Sequence, residues 1–397
     1  MILFVASDHI PHVGGKSTHI QDLMSGLECL GEKTILFSQA QYSPYLKKCI
    51  KLLISPIRLF SIKYFQYCYN KIWKRILSKQ VLKLYRKENP DCISCQDAFA
   101  AAALKTIRSK IDCSVVLTMH TYFGLENALD CVNNKLQERI YNRNLEFELS
   151  SLEVADTIIA VDKRILNHVQ DTIKNQSNKI RIRTKTCVSI ENFTNTEVFS
   201  PSCDEEKRLL REKYEIPEDR FVIVCARRLV EKNGVIYAIN AMERLDNSYM
   251  LVVAGDGPQQ SIIRERIKES HLNDRIKMLG SINPDKIVEL YKLSDCSVVP
   301  SITVNGLQEA TSISALEAMS CSLPTIASRI GGLIQLIDDD VNGFLVDEKN
   351  ADQIASKIIL LRDSETNKRI SDSARSFVID NHSYIQGAKQ YLEYFMS

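Results

Sequence analysis

The chain has 397 residues, 45% of them hydrophobic and 25% charged, with a formal net charge of +2. It is too long for one ordinary core, which predicts two or three domains. The composition excludes a disordered chain, a collagen and a small disulfide scaffold. Apolar stretches reach only about 5–7 residues, well short of the roughly 20 a spanning helix needs.

Met1 leads directly into the apolar run "ILFVA" (2–6), without a basic leader or a small-residue cleavage site. The run reads as a buried strand and not as a signal peptide, so a cytoplasmic setting is expected. The 12 cysteines then read as reduced, mostly buried thiols. Cys92 and Cys95 form a C-x-x-C without a second pair at zinc spacing, and "DCISC" reads as a strand.

In chain order, the glycine turn Gly14-Gly15 is followed by a helix over Ser17–Leu30 and a strand "TILFS" (34–38). Residues 47–87 hold 12 Lys or Arg and no acid, which leaves 39 basic against 49 acidic residues elsewhere. From Tyr69 the segment has helical period. Tyr69, Trp73, Leu77, Val81 and Leu84 share one face, and Lys71, Arg75, Lys79 and Lys83 form a stripe on another. A basic amphipathic helix with Trp and Tyr suits an anionic membrane surface, with Trp73 or Tyr69 in the headgroup zone. The alternatives are nucleic acid, for which no motif is present, and a solvated helix packed on its own domain.

The strands "CISC", "SVVLTM" (114–119), "TIIAV" (157–161) and "CVSI" (187–190) follow, with helices near 98–109, 133–152 and 163–174. A polar, aperiodic stretch at 191–206 reads as an interdomain linker. The alternation restarts with "FVIVCA" (221–226), "MLVVAG" (250–255), "IKMLG" (276–280), "CSVVP" (296–300) and "PTIAS" (324–328). Helices lie between them, among them 284–293 and 312–321. Short apolar strands alternating with helices predict an α/β chain of two Rossmann-like, doubly wound parallel sheets facing a cleft.

Several residues could carry chemistry there. Gly14-Gly15, directly after a strand, lets backbone approach a phosphate. Arg228 and Lys232 in "ARRLVEKNG" follow a strand end, where a basic pair suits a diphosphate; Arg227 is expected to be the solvated one. Glu309 precedes the helix of "SISALEAM", which Thr311 or Ser312 can cap, and Glu317 lies on its second turn. Their separation is about that between two sugars across a diphosphate, with the helix N-terminus between them, although an ordinary amphipathic helix with an exposed Glu fits too. His120 ends a strand and could donate to a sugar or a phosphate. Asp338 and Asp340 form an Asp-x-Asp that reads as an exposed turn and not as a metal site.

Together these strings resemble the retaining glycosyltransferases of the GT-B fold, in the large family 4 group (glycosyl transferases group 1) that uses nucleotide-sugar donors. The matching strings include "GGKSTHIQDL", "TMHTYFG", "ARRLVEKNG", "VVAGDGP", "EATSISALEAM" and "SLPTIASRIGGL", in family order from about residue 14 to 346. The resemblance implies that Glu309 binds donor-sugar hydroxyls and Glu317 the ribose. Arg228 and Lys232 would hold the diphosphate without a metal, with Gly15 nearby. The helix start Thr311, Ser312 and Ile313 would face the donor, His120 the transferred sugar, and backbone near Gly280–Ile282 the base. Departures are Ala310-Thr311-Ser312 for a frequent Gly-Phe-Gly, Ser322 for a Gly, and Lys232-Asn233-Gly234 for Lys-Gly, a match shifted by one residue.

The expected protein has an acceptor domain over 1–195, with the basic insertion at about 47–87, and a donor domain over 196–397 whose last helix crosses back. It would move a hexose-type sugar from a nucleotide-diphosphate sugar (UDP first, GDP second) to a surface-glycan or lipid-linked acceptor. It would need no cofactor or metal, would not bind nucleic acid, and would sit on the inner face of the membrane. A GT-B nucleotide-sugar epimerase and a non-catalytic GT-B scaffold are the rival readings.

Overall fold

The computed structural model describes residues 1–11, 14–60, 62–122, 145–176 and 181–396. The chain divides into two compact units: residues 1–12, 24–191 and 388–397, and residues 13–23 and 192–387. The closing helix Tyr384–Phe395 thus gives its last residues to the first unit.

The first unit is built on a parallel sheet ordered β2-β1-β3-β4-β5-β6. Its strands are β1 (Ile2–Val5), β2 (Thr34–Phe37), β3 (Cys92–Cys95), β4 (Ser114–Met119), β5 (Thr157–Ala160) and β6 (Thr186–Ser189). β1, β3 and β5 are buried along their whole length. Strands covered on both faces read as continuous apolar runs, which is why these segments were legible as strands. Helix α1 (Gly15–Cys29) follows β1, and its residues up to Leu23 belong to the second unit. Phe395 packs edge-on against Phe4 at 6.1 Å, which seats the chain's end on this sheet.

The basic insertion folds as two helices, α2 (Pro44–Phe60) and α3 (Ile62–Glu88). Of the two residues expected at a lipid headgroup, Trp73 is instead only 4% exposed and Tyr69 is half-buried. The Trp73 ring lies 4.9 Å from the Tyr42 ring and 5.8 Å from that of Tyr69. Leu77 and Val81 are buried with it, so the apolar face of α3 packs on its own unit. Burying an indole and two aliphatic side chains outweighs placing them in water. Lys71, Arg75, Lys79 and Lys83 remain exposed, as their stripe predicted.

The second unit carries a parallel sheet ordered β12-β11-β10-β7-β8-β9. Its strands are β7 (Phe221–Ala226), β8 (Tyr249–Ala254), β9 (Ile276–Gly280), β10 (Cys296–Val299), β11 (Thr325–Ser328) and β12 (Phe344–Val346). Apolar residues fill both faces. Cys225, Leu251 and Val298 belong to one cluster; Val222, Val224 and Tyr291 belong to the other. The chain runs β7-β8-β9 to one side and then returns to place β10 on the other side of β7. The strand order therefore reverses between β7 and β10, and ligands of open α/β sheets bind outside the carboxyl ends at such a point.

The boundary between the two units falls at Glu191 and Asn192, and within 191–206 Phe193, Thr194 and Phe199 are buried and Thr194 pairs with Ser383. Two expectations need correction here. Of the 11 cysteines described as free, only five are buried (Cys92, Cys95, Cys225, Cys296 and Cys321), while Cys29, Cys49 and Cys203 are exposed. The exposed ones lie outside the sheets, where no core requires them inward. The helix expected near 98–109 ends at Leu104, followed by a short 3-10 turn at Arg108–Lys110. Most of the helix expected near 133–152 lies outside the described residues.

Candidate active site

The ends of β7 and β10 carry the residues that matter. β7 leads into Arg227 and β10 into Pro300-Ser301. Arg227, expected to be solvated, is the buried member of its pair, and Arg228 is exposed. Successive residues leave a strand on opposite sides, so only one of two adjacent arginines can turn toward the switch point.

The Arg227 guanidinium gathers five acceptors. Nη2 donates to Glu309 Oε2 at 2.8 Å, and to Asn233 Oδ1 and Ser301 Oγ at 2.9 Å each. Nη1 donates to Ser312 Oγ and Ser314 Oγ, both at 2.9 Å. Nε has no partner among the described residues. Ser312 is the first residue before helix Ile313–Ser320, yet its hydroxyl makes no cap hydrogen bond because Arg227 occupies it. The cap expected of it is therefore absent.

Burial alone would raise the Glu309 carboxyl. The Arg227 guanidinium, helped by Lys232 and the Ser301 hydroxyl, more than offsets this and holds it below the usual range. Glu309 is thus a carboxylate, held by Arg227 and Ser301. Lys232 is exposed, on the 3-10 turn Glu231–Asn233, and its carbonyl accepts from Ile302 N at 2.8 Å. The turn ends at Gly234 with φ +61°, where a built Cβ would lie 1.9 Å from Pro300 O. Only glycine fits there, and the close approach seats the lysine loop on the end of β10. Asn233 bridges the two arginines, accepting from Arg227 and donating to Arg228 O at 2.8 Å.

Glu317 is buried and not the exposed Glu of a simple amphipathic helix. It accepts from the Tyr291 hydroxyl at 3.0 Å. Burial pushes its carboxyl up to about 8, the Tyr291 bond opposes that, and the Asp22 charge adds to it. Burial likewise pushes Asp22 up to about 7. These two carboxyls share one environment and resist carrying two negative charges.

The other candidates fall as follows. Thr311 and Ser312 are buried and Ile313 is half-buried; Asn192 Nδ2 donates to Thr311 O at 2.7 Å. His19 Nδ1 stands 3.0 Å from Asn192 Oδ1, and burial lowers its pKa to about 4, so the ring is neutral and donates from Nδ1. Gly15 lies beside Ile313, 3.4 Å from a built Cβ to Ile313 Cδ1. Gly280 ends β9 and its carbonyl accepts from Gly255 N at 2.7 Å; Ile282 packs against the core. His120 belongs to the first unit, where its Nε2 meets Gln96 Oε1 at 3.2 Å. Asp338, Asp339 and Asp340 are exposed, with Asp339 paired to Arg329 and Asp340 to Arg369. No cluster of three or more potential metal ligands occurs among the described residues.

The second unit therefore brings together Arg227, Lys232, Glu309 and the start of helix Ile313–Ser320, with Glu317 on that helix. Residues 206–377 match the family model "Glycosyl transferases group 1", and residues 13–183 match "Glycosyltransferase Family 4". The two matches cover both halves, and the chain belongs to the glycosyltransferases of GT-B type. An uncharacterised glycosyltransferase of Methanocaldococcus jannaschii is 26% identical over 95% of this chain and 93% of its own. The phosphatidylinositol N-acetylglucosaminyltransferase gpi3 subunit of Schizosaccharomyces pombe is 24% identical over 89% of this chain and 72% of its own. Among solved structures, Anabaena HepE in complex with UDP-glucose superposes with a TM-score of 0.72 at 17% identity, over 99% of this chain and 98% of that one.

Proposed function

We propose that this glycosyltransferase is a retaining, metal-independent hexosyltransferase. Its donor is a nucleotide-diphosphate sugar, UDP-linked in the first instance and GDP-linked in the second. Its acceptor is a surface glycan or a lipid-linked sugar. The observation that carries the reading is Arg227, buried at the β7–β10 switch point, ion-paired to Glu309 and still holding one unsatisfied donor at Nε.

Departure of a nucleoside diphosphate builds negative charge on its β-phosphate. Arg227, Lys232 and the amides at the start of helix Ile313–Ser320 are fixed cationic or donor groups that can meet it, which removes the need for a metal. Arg227 takes the role that the resemblance gave to Arg228. Glu309, ionised and aimed, would accept from donor-sugar hydroxyls, and Glu317 from the ribose. The acceptor would attack on the face from which the phosphate leaves, with that phosphate taking the acceptor proton. His120 and backbone near Gly280 and Ile282 would contact the transferred sugar and the base.

A lipid-linked acceptor is supported by the relative named phosphatidylinositol N-acetylglucosaminyltransferase. It is also supported by the exposed bases Lys71, Arg75, Lys79 and Lys83 within residues 47–87, which suit an anionic membrane on its cytoplasmic side. Among the described residues no helix is long and apolar enough to cross a membrane.

The test is incubation of the protein with UDP- and GDP-sugars in EDTA, with and without membrane lipid extracts. Transfer with retention of the donor's anomeric configuration supports the reading. Interconversion of the sugar without an acceptor would favour an epimerase, and no turnover with any donor would favour a scaffold.

A further inference from the structure

Helix α2 has two apolar faces, and among the described residues its own unit covers only one. Ile50 and Ile54 are buried. Tyr45, Leu52 and Leu53 are 80%, 61% and 79% exposed, and Cys49 and Pro56 are exposed alongside them. These five positions follow i, i+4, i+7, i+8 and i+11, so they line one stripe of the helix. Lys48 and Lys51 are exposed on its flank. No Asp or Glu occurs between Glu32 and Glu88.

A surface helix gains nothing from two adjacent leucines and a tyrosine in water, and singly scattered apolar residues would need no explanation. This set is contiguous and has lysines beside it. Whatever covers it must be apolar at the centre and negative at the edge. A bilayer containing anionic lipid has that chemistry, with acyl chains beneath a layer of phosphates. The exposed stripe Lys71, Arg75, Lys79 and Lys83 on α3 adds positive charge to the same unit.

We propose that α2 is the element that enters the membrane interface, with Leu52 and Leu53 in the acyl boundary and Lys48 and Lys51 at the phosphates. This rests on the membrane-surface reading and moves the insertion from Trp73, which is committed to the core, to the preceding helix. The donor site does not enter into it.

The experiment is sedimentation of the full-length protein with vesicles of phosphatidylcholine alone and mixed with phosphatidylglycerol. Three forms are compared: wild type, Leu52→Ser with Leu53→Ser, and the fourfold change of Lys71, Arg75, Lys79 and Lys83 to Glu. Both leucines are exposed, so the serine variant should keep the wild-type melting temperature. Wild type is expected to bind only the anionic vesicles. The serine variant is expected to bind them about tenfold or more weakly, as befits loss of the inserted apolar surface. A second measurement places the helix directly. Leu53→Trp should shift its emission to the blue on adding anionic vesicles, while the buried Trp73 stays constant. If the serine variant binds like wild type and only the fourfold variant loses binding, the membrane reading stands and the role of α2 is overturned. If wild type binds neither vesicle, both are overturned. A wild-type dimer that the serine variant splits would show that a second copy covers the stripe, and would also overturn the proposal.

Discussion

Arg227 and Glu309 face each other at the point where the second sheet reverses its strand order, with Nη2 2.8 Å from Oε2 and side chains only 7% and 16% exposed. Taking two charges out of water is costly, and such a pair is retained only where its geometry is satisfied. Here four further side chains share the guanidinium. The pair is a fixed electrostatic device, built before any donor arrives.

The first prediction concerns this pair. Arg227→Ala should cut turnover by on the order of a hundredfold or more, as for loss of one preorganised donor. It should also lower stability by about 3–5 kcal/mol, because the buried Glu309 loses its guanidinium partner. Adding Glu309→Gln should recover part of that stability and none of the activity. Arg228→Ala, at an exposed position, should leave stability within about 0.5 kcal/mol. Denaturant melts and initial rates on wild type and these three variants check this.

The second prediction concerns pH. Glu317 has a folded pKa near 8 against an ordinary value of 4.5, raised by burial. The folded state then holds its proton more tightly than the unfolded chain. Stability contributed by this group is present below about 4.5, declines as pH rises toward 8, and is flat beyond. Glu317→Gln removes the decline. Its stability relative to wild type should therefore increase steadily between pH 5 and 8, by on the order of a few kcal/mol. The neighbouring Asp22, Tyr291 and Arg227 remain in both proteins. A constant difference across that range would contradict the assignment. Nucleotide affinity should fall in the same variant.

The third prediction tests a backbone contact. Gly255 has φ +142°, and a Cβ there would lie 2.0 Å from Arg227 O. Gly255→Ala must push the Arg227 backbone away. It should cost well over 1 kcal/mol and reduce activity beyond what its stability loss explains. Activity measured well below the melting temperature separates the two effects.

The fourth prediction concerns Trp73, the single tryptophan in the chain. Its emission should be blue and poorly quenched by acrylamide with or without vesicles. Trp73→Ala should cost roughly 3–5 kcal/mol, as for a large side chain removed from a core.

Both sheets were legible because parallel strands buried on two faces leave short apolar runs such as "ILFVA" and "FVIVCA". The same burial hid the choice between Arg227 and Arg228. "VIVCA" has no polar alternation to mark which side faces what, so the parity of the next two residues could not be read. Ser301 and Asn233 were missed because nothing local marks them; they matter only once β7 and β10 are neighbours. Glu317 stands out by position, but nothing local marks its burial or its hydrogen bond from Tyr291, 26 residues earlier. Helix α2 was obscured by Pro56, which argues against a helix interior. The basic stripe of α3 is exposed as its spacing implies, and its apolar face serves the fold.

The central claim is that the second unit binds a nucleotide sugar through Arg227, Glu309 and Glu317 without a metal. The most direct measurement is the melting temperature of wild type, Arg227→Ala and Glu317→Ala in EDTA, with a panel of UDP- and GDP-sugars. The account predicts that at least one donor raises the wild-type value in a concentration-dependent way, as ligand linkage requires, and that both variants lose most of that shift. A wild-type protein that no nucleotide sugar stabilises without added metal, or variants that respond as wild type does, would contradict it.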